Sequence, residues 1–144
     1  MRKLILMGRS EAGKSTLIQA MRRETIRYVK TQYIDNSEEI IDTPGEYTED
    51  RRLGSAIAIF SAESDVIGFV ISAIEPYSLF SPAAACQATR PVVGIVTKCD
   101  HPEAVPERAA EWLRMAGCSR IFYTSSYKRE GVDELLDFLG SDER

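Results

Sequence analysis

The sequence is poor in the residues that mark several large classes of protein. It has one histidine, His101, and three cysteines, Cys86, Cys99 and Cys118, which are odd in number and widely spaced. Disulfide frameworks and structural zinc sites need paired or clustered cysteines. We therefore expect neither, and interpret the cysteines as reduced thiols of a cytosolic protein. His101 directly precedes a proline, which favours a loop position over a catalytic one.

Long apolar runs and an excess of basic residues are also missing. The longest apolar run, Val66–Ile74, has about half of the ~20 residues that a membrane-spanning helix needs. The first strand candidate begins almost at Met1, and neither a signal peptide nor a prenylation box is visible. The net charge is -4 and the pI about 5.1, whereas nucleic-acid-binding proteins usually present a basic face. We expect a cytoplasmic protein without a transmembrane segment or a nucleic-acid partner.

The sequence does contain a regular alternation of short apolar strands with helical patterns. Its 144 residues, 44% of them hydrophobic and 28% charged, fit one globular domain over residues 1–144. Alternating strands and helices imply parallel βαβ units, and a turn signal at Asn36-Ser37 predicts a hairpin between Thr31–Asp35 and Glu39–Asp42. The fold class is therefore α/β, a three-layer sandwich with a mostly parallel sheet and one antiparallel hairpin strand. The ligand is expected outside the carboxyl ends of the strands.

The segment between Ala73 and Arg90 breaks this alternation. Two prolines leave room only for a short helix from Pro82 to Ala88. The apolar stretch Ser78-Leu79-Phe80 precedes it. We interpret this stretch as cover for the core, with a docking surface as the less favoured alternative.

The run Gly8-Arg9-Ser10-Glu11-Ala12-Gly13-Lys14-Ser15 matches the phosphate-binding pattern G-x-x-x-x-G-K-[ST]. It follows a strand candidate and opens a helix candidate, which is the context that such a loop requires. Backbone N–H groups must converge on phosphate oxygens, so Gly13 lets the backbone approach, and the helix N-terminus adds a positive dipole. Lys14 is predicted to reach the β- and γ-phosphates as a catalytic group, and Ser15 to offer its hydroxyl to Mg²⁺. We assign residues 8–15 and Thr16 to phosphate binding.

The motif Asp42-Thr43-Pro44-Gly45-Glu46 follows a second strand candidate. Asp42 is predicted to hold Mg²⁺ through water, and the Gly45 N–H to contact the γ-phosphate. Thr31, between the two motifs, is the candidate that completes the Mg²⁺ shell. Glu46 stands where a water-orienting glutamine is common, and an acid there is repelled by the γ-phosphate. We therefore predict slow intrinsic hydrolysis, with Glu46 as a catalytic candidate.

A third motif, Thr97-Lys98-Cys99-Asp100, ends an apolar strand and resembles the [NT]-K-x-D motif of guanine-specific GTPases. The Asp100 carboxylate can accept hydrogen bonds from guanine N1–H and from its 2-amino group, whereas adenine offers neither donor. That resemblance implies that Ser125 supports the aspartate, that the Ser126 amide faces guanine O6, and that Lys98 covers the base. A ligand that leaves the polar groups of such a site without partners can be discriminated against by roughly 10⁴-fold. Thr97 replaces the commoner asparagine and lacks its amide, which leaves ATP open as the alternative to GTP and GDP.

Together these motifs resemble the Ras-like P-loop GTPase domain. The strings Ile41-Asp42-Thr43-Pro44-Gly45-Glu46-Tyr47, Phe80-Ser81-Pro82 and the stretch from Arg90 to Lys98 are similar to those of the EutP/PduV family, over nearly all of residues 2–139. These are small P-loop proteins linked to the bacterial microcompartments of ethanolamine and propanediol utilisation. The resemblance implies a bacterial cytosolic protein, associated with a microcompartment through a shell or enzyme component as its protein partner.

Three hypotheses follow from the motifs and the resemblance. The first is a Mg²⁺-dependent guanine-nucleotide switch with slow GTP hydrolysis. The second is an ATP-dependent acetate kinase, which the resemblance implies for some members and which needs an arginine for the acceptor carboxylate; Arg9, Arg51 and Arg52 are available. The third is a scaffold or docking protein whose nucleotide is structural. We place the switch first.

Overall fold

The computed structural model describes residues 2–9, 12–22, 40–43, 53–126, 128 and 130–140. Within these residues five strands form one sheet in the order β2-β1-β3-β4-β5: β1 Leu4–Met7, β2 Ile40–Asp42, β3 Val66–Ser72, β4 Val92–Thr97 and β5 Ile121–Tyr123. Every neighbouring pair is parallel, as the alternation predicts. The strand predicted at Thr31–Asp35, the antiparallel member of the hairpin, lies outside the described residues.

Among the described residues, the first three α-helices lie in connections between strands and the fourth follows β5. They are α1 over residues 14–22, α2 Leu53–Ala62, α3 Pro106–Met115 and α4 Val132–Gly140. The helix predicted over Pro82–Ala88 is a 3₁₀ helix of four residues, Ala84–Gln87. Pro106 stands in the first turn of α3, where its missing N–H costs nothing, and Gly117 follows the end of α3 with a φ of 100°.

Apolar side chains cover both faces of the sheet, because successive residues of each strand point to opposite sides. Leu4 and Leu6 pack with α1 and α4 on one face, whereas Ile5 and Met7 pack with α2 and α3 on the other. All seven residues of β3 are buried. Continuous apolar strands are expected in a parallel sheet that is covered twice, so the three-layer arrangement follows from the composition of the strands.

The apolar stretch before the 3₁₀ helix belongs to the core. Phe80 is buried and stacks on Phe69 of β3, with ring centroids 4.3 Å apart. Ser78 receives a hydrogen bond from the Phe80 N–H at 3.1 Å, which fixes the turn. Phe80 thus takes the place that a longer helix would fill, and the favoured interpretation of this stretch as core cover is confirmed for Phe80.

The start of β1 and the end of α4 lie side by side. The Arg2 N–H donates to the Leu139 carbonyl at 3.0 Å, and the Arg2 guanidinium lies 4.4 Å from the centre of the Phe138 ring. Arg120 reaches the same ring from the β5 side at 5.3 Å. These contacts hold the last described helix on the amino-terminal edge of the sheet. Among the described residues, no helix is long and apolar enough to cross a membrane.

Candidate functional site

The predicted phosphate loop follows β1, at the carboxyl edge of the sheet. An added Cβ at Gly8 would lie 2.7 Å from the Val70 carbonyl oxygen, so only glycine fits so close to β3. Gly13 has a φ of 90°, in the left-handed region that favours glycine. Lys14 is buried, and its ammonium donates to the carbonyls of Gly8 at 2.7 Å and Arg9 at 3.0 Å. The lysine thus folds back over the loop and places a positive charge where phosphate oxygens would bind.

The phosphate loop is tied to the predicted base-binding motif by two side chains. The Thr97 hydroxyl donates to the Ala12 carbonyl. A Cβ at Gly13 would lie 3.3 Å from Thr97 Oγ1 and 3.6 Å from Lys98 Cε, so the lysine stem runs over Gly13. Lys98 has a φ of 59°, an uncommon conformation for a residue with a side chain. The threonine therefore anchors the phosphate loop with its hydroxyl, although it lacks the amide of asparagine.

Asp100 and Ser125 come together at the ends of β4 and β5. The Ser125 hydroxyl hydrogen-bonds to the Asp100 carboxylate and lowers its pKa, which keeps the carboxylate ionised and able only to accept. The Ser125 oxygen also receives a hydrogen bond from the Lys128 N–H at 3.3 Å. A hydroxyl can donate once and accept at the same time, so Ser125 holds both the aspartate and its own loop. Lys128 is exposed, whereas Ser125 is fully buried.

The two ends of the loop between β5 and α4 are tied to each other. The Ser125 and Glu130 backbones exchange two hydrogen bonds, each 3.0 Å long. Gly131 closes the loop with a φ of 78°, and a Cβ there would lie 2.0 Å from the Tyr123 carbonyl oxygen. A glycine is therefore required at position 131. Ser126, the predicted contact to guanine O6, sits half-buried at the tip of this loop.

The predicted Mg²⁺ ligands lie on neighbouring elements. Ser15 is exposed in the first turn of α1, and Asp42 ends β2, where its backbone pairs with Leu6 of β1. Mg²⁺ usually takes only one or two protein oxygens and completes its shell with phosphate and water. A serine in the first turn of α1 and an aspartate at the end of β2 are the residue types of that pattern. No group of three or more His, Cys, Asp or Glu residues that could hold a metal occurs within the described ranges.

Several predicted site residues lie outside the described residues. They are Ser10, Glu11, Thr31, Gly45 and Glu46, together with the side chain of Asp42. Their roles stay predictions. The remaining candidates, Gly8, Arg9, Ala12, Gly13, Lys14, Ser15, Thr16, Thr97, Lys98, Asp100, Ser125 and Ser126, all follow or end a strand at the same edge of the sheet.

Two residues at this edge make contacts that the sequence motifs did not predict. The buried Thr43 hydroxyl donates to the Leu6 carbonyl at 2.8 Å, which ties the end of β2 to the end of β1. Glu75 follows β3 and is 8% exposed, and its carboxylate accepts from the Ser72 N–H at 2.7 Å. The sequence signal for Glu75 was an acid directly after the longest apolar run, Val66–Ile74, because a buried acid needs a partner.

Comparisons with known proteins agree with this arrangement. A family model described as PduV-EutP, "Ethanolamine utilisation - propanediol utilisation", matches residues 1–141. The "Propanediol utilization protein PduV" of Citrobacter freundii is 44% identical over 99% of this chain and 96% of its own length. The "Probable acetate kinase EutP" of Escherichia coli (strain K12) is 28% identical over 98% of this chain and 91% of its own. The resemblance inferred from the motifs is confirmed.

A solved structure supports the fold independently. The FeoB G-domain from Methanococcus jannaschii matches with a TM-score of 0.64 at 18% identity, over 96% of this chain and 94% of that chain. At this identity the match concerns the fold alone. The α/β fold of P-loop GTPase domains, predicted from the strand and motif order, is confirmed.

Proposed function

The chain belongs to the PduV-EutP family of ethanolamine and propanediol utilisation, and from this premise we propose that it is a Mg²⁺-dependent guanine-nucleotide-binding protein with slow GTP hydrolysis. The observation that carries the proposal is the Asp100 carboxylate, which the Ser125 hydroxyl holds in the motif whose Thr97 and Lys98 lie against Gly13. A fixed, ionised acceptor suits the two donors on one edge of guanine. The output of nucleotide binding is contact with a protein partner of the same pathway.

The residues of the phosphate loop and of the two other motifs would each have a separate role in binding the nucleotide. The Lys14 ammonium neutralises phosphate charge from a position already fixed by the Gly8 and Arg9 carbonyls. Ser15, with Asp42, would hold Mg²⁺, which supplies charge stabilisation for phosphoryl transfer. Lys98, whose stem lies over Gly13, covers the base from one side. These contacts would position the nucleotide before any water attacks it.

The proposal is tested by calorimetry of GDP, GTP, ADP and ATP on nucleotide-stripped protein with Mg²⁺. We expect the guanine nucleotides to bind at least about 100-fold more tightly, because adenine leaves Asp100 unpaired. Asp100→Ala should abolish the difference. Asp100→Asn should turn the preference toward xanthine nucleotides, since the new amide donates to the xanthine 2-oxo group and still accepts from N1–H.

The control is Asp137→Ala, which removes an exposed carboxylate from α4. It should leave all four affinities unchanged. Equal binding of ADP and GDP by the wild type would refute guanine selectivity, and absence of any binding would refute the proposal as a whole.

Slow hydrolysis rests on the acid at position 46. An anionic side chain is repelled from the γ-phosphate and cannot donate a hydrogen bond while it orients water. We expect single-turnover GTP hydrolysis by the wild type to be slow, and Glu46→Gln to hydrolyse at least as fast. Fast wild-type turnover that is lost in Glu46→Gln would instead make Glu46 the water-positioning group.

The second candidate is phosphoryl transfer to acetate, favoured by the name "Probable acetate kinase EutP" of three relatives. This reaction needs a cation for the acetate carboxylate. Arg9 faces Glu75 and the Tyr77 ring, so it is already engaged, while Arg51 and Arg52 lie outside the described residues. ATP binding as tight as GTP binding, together with acetyl phosphate formation from ATP and acetate, would favour this candidate.

A further inference from the structure

Glu75 is a buried acid that none of the proposed contacts to the nucleotide uses. It follows β3, the central strand, whose neighbours β1 and β4 lead into the phosphate loop and the base-binding motif. Its side chain is 9% exposed. Burial raises the pKa of its carboxyl, while the Ser72 N–H and the charges of Arg9, Lys98 and Lys14 act to lower it. Burying a carboxylate costs free energy unless a positive group or a hydrogen-bond donor faces it. The surrounding donors and charges therefore offset the cost of burying Glu75.

The partner of Glu75 in the phosphate loop is Arg9. Arg9 Nη1 lies 3.8 Å from Glu75 Oε1, and the guanidinium lies 5.0 Å from the centre of the exposed Tyr77 ring. Nη1 is buried and makes no hydrogen bond to any residue that the structure describes. The ion pair is thus the main polar contact that this end of the arginine has in the described part of the chain.

The backbone of Arg9 contacts the phosphate-binding lysine. The Arg9 carbonyl accepts from the Lys14 ammonium at 3.0 Å and from the Ala12 N–H at 3.1 Å. A movement of the Arg9 backbone would therefore move an oxygen that fixes the lysine. Because Glu75 restrains the Arg9 side chain, it restrains this oxygen as well.

Glu75 is itself held by hydrogen bonds from two elements. Its carboxylate accepts from the Ser72 N–H at the end of β3, and its carbonyl accepts from Arg108 of α3 at 2.9 Å. Arg108 in turn lies 5.3 Å from the centre of the Trp112 ring. The acid is therefore fixed to the sheet and to α3, which makes it a second anchor for the phosphate loop beside the Thr97 hydroxyl.

We propose that Glu75 is the positioning residue of the phosphate loop, which holds Arg9 and thereby sets the affinity for the phosphates of a nucleotide. Base selectivity depends on Asp100, which is held by a hydrogen bond to Ser125 and not by Glu75. The proposal rests on nucleotide binding at this edge but not on the identity of the base. It predicts that Arg9 and Glu75 are coupled. Replacing either residue should weaken nucleotide binding as much as replacing both.

The first test is a double-mutant cycle on Mg²⁺-dependent GDP affinity, with Glu75→Gln, Arg9→Met and the double variant. Glutamine can keep the hydrogen bond from Ser72 while it loses the charge that faces Arg9. Each single variant should raise the Kd about tenfold, and the double variant no further, because contacting residues couple. The ratio of GDP to ADP affinity should not change. Glu103→Gln, an exposed acid in the loop after β4, is the matched control and should leave Kd unchanged.

The second test needs no nucleotide. Amide hydrogen exchange of the nucleotide-free protein should be faster in Glu75→Gln over residues 8–14 and unchanged over residues 124–131. If the wild type binds no nucleotide, the proposed function fails, and this exchange pattern alone decides the role of Glu75. Additive Kd effects, an altered base ratio, or unchanged exchange over residues 8–14 would overturn the proposal.

Discussion

At the scale of single residues, position decides the chemistry of the three cysteines. Cys86 is exposed, whereas burial raises the pKa of the Cys118 thiol to about 12 and also raises that of Cys99. Only the thiolate is nucleophilic. Because a raised pKa keeps the thiol protonated until the pH approaches it, about one Cys118 side chain in 10⁴ is ionised at pH 8.

We therefore predict that iodoacetamide at pH 8 labels Cys86 at least about 100 times faster than Cys118. Mass spectrometry of the digested protein gives the two rates. In urea all three cysteines should label at similar rates, which controls for the reactivity of the thiols themselves. Comparable rates for Cys86 and Cys118 in the folded protein would contradict the burial of Cys118.

The sequence alone predicted the local motifs of the site but not the contacts between distant residues. The pattern around Gly13 and Lys14 places a phosphate loop because its spacing matches a known loop geometry. The hydrogen bond from Thr97 to the Ala12 carbonyl and the pair of Glu75 with Arg9 could not be predicted. They join residues that are 85 and 66 positions apart, and no local pattern encodes such a contact.

At the scale of elements, the loop from β5 to α4 depends on Gly131. A side chain there would need a φ of 78° and would meet the Tyr123 carbonyl oxygen at 2.0 Å. We predict that Gly131→Ala lowers the free energy of unfolding by about 2 kcal/mol or more and weakens base selectivity, since Ser125 and Ser126 lie in the same loop. Urea denaturation and GDP calorimetry measure the two effects.

Gly140→Ala is the matched control. Gly140 ends α4, and no atom of the residues that the structure describes lies within 4 Å of an added Cβ. Alanine favours a helix over glycine by up to about 1 kcal/mol, so this variant should be as stable as the wild type or more so. A Gly131→Ala variant that is equally stable would mean that the loop relaxes without strain.

The bounds of strands and helices were predictable where the sequence has a long apolar run or a residue that ends a helix. β4 begins and ends where its apolar run does, and α3 ends just before Gly117. The segment between β3 and β4 was harder. Its two prolines indicated a short helix, but the 3₁₀ form and the stacking of Phe80 on Phe69 depend on packing against α3 and the sheet.

At the scale of the whole molecule, the sheet order explains why distant motifs share one site. Parallel strands end at the same edge, so the loops after β1, β4 and β5 meet although they are far apart in the chain. The alternation of elements predicts this edge and the motifs identify its ligand class. The strand order itself does not follow from the residues alone, because apolar parallel strands have similar compositions.

The contact between Arg2 and Leu139 has a consequence for the connectivity of the chain. Their backbones are joined by a hydrogen bond, so a short linker between positions 139 and 2 could close the segment between them into a ring. New ends could then be opened after Ala62, in the turn before β3 where Glu63 is exposed. We predict that this circular permutant folds with a melting temperature within about 10 °C of the parent and binds GDP equally well. Folding would then depend on which segments meet in space and not on which is synthesised first.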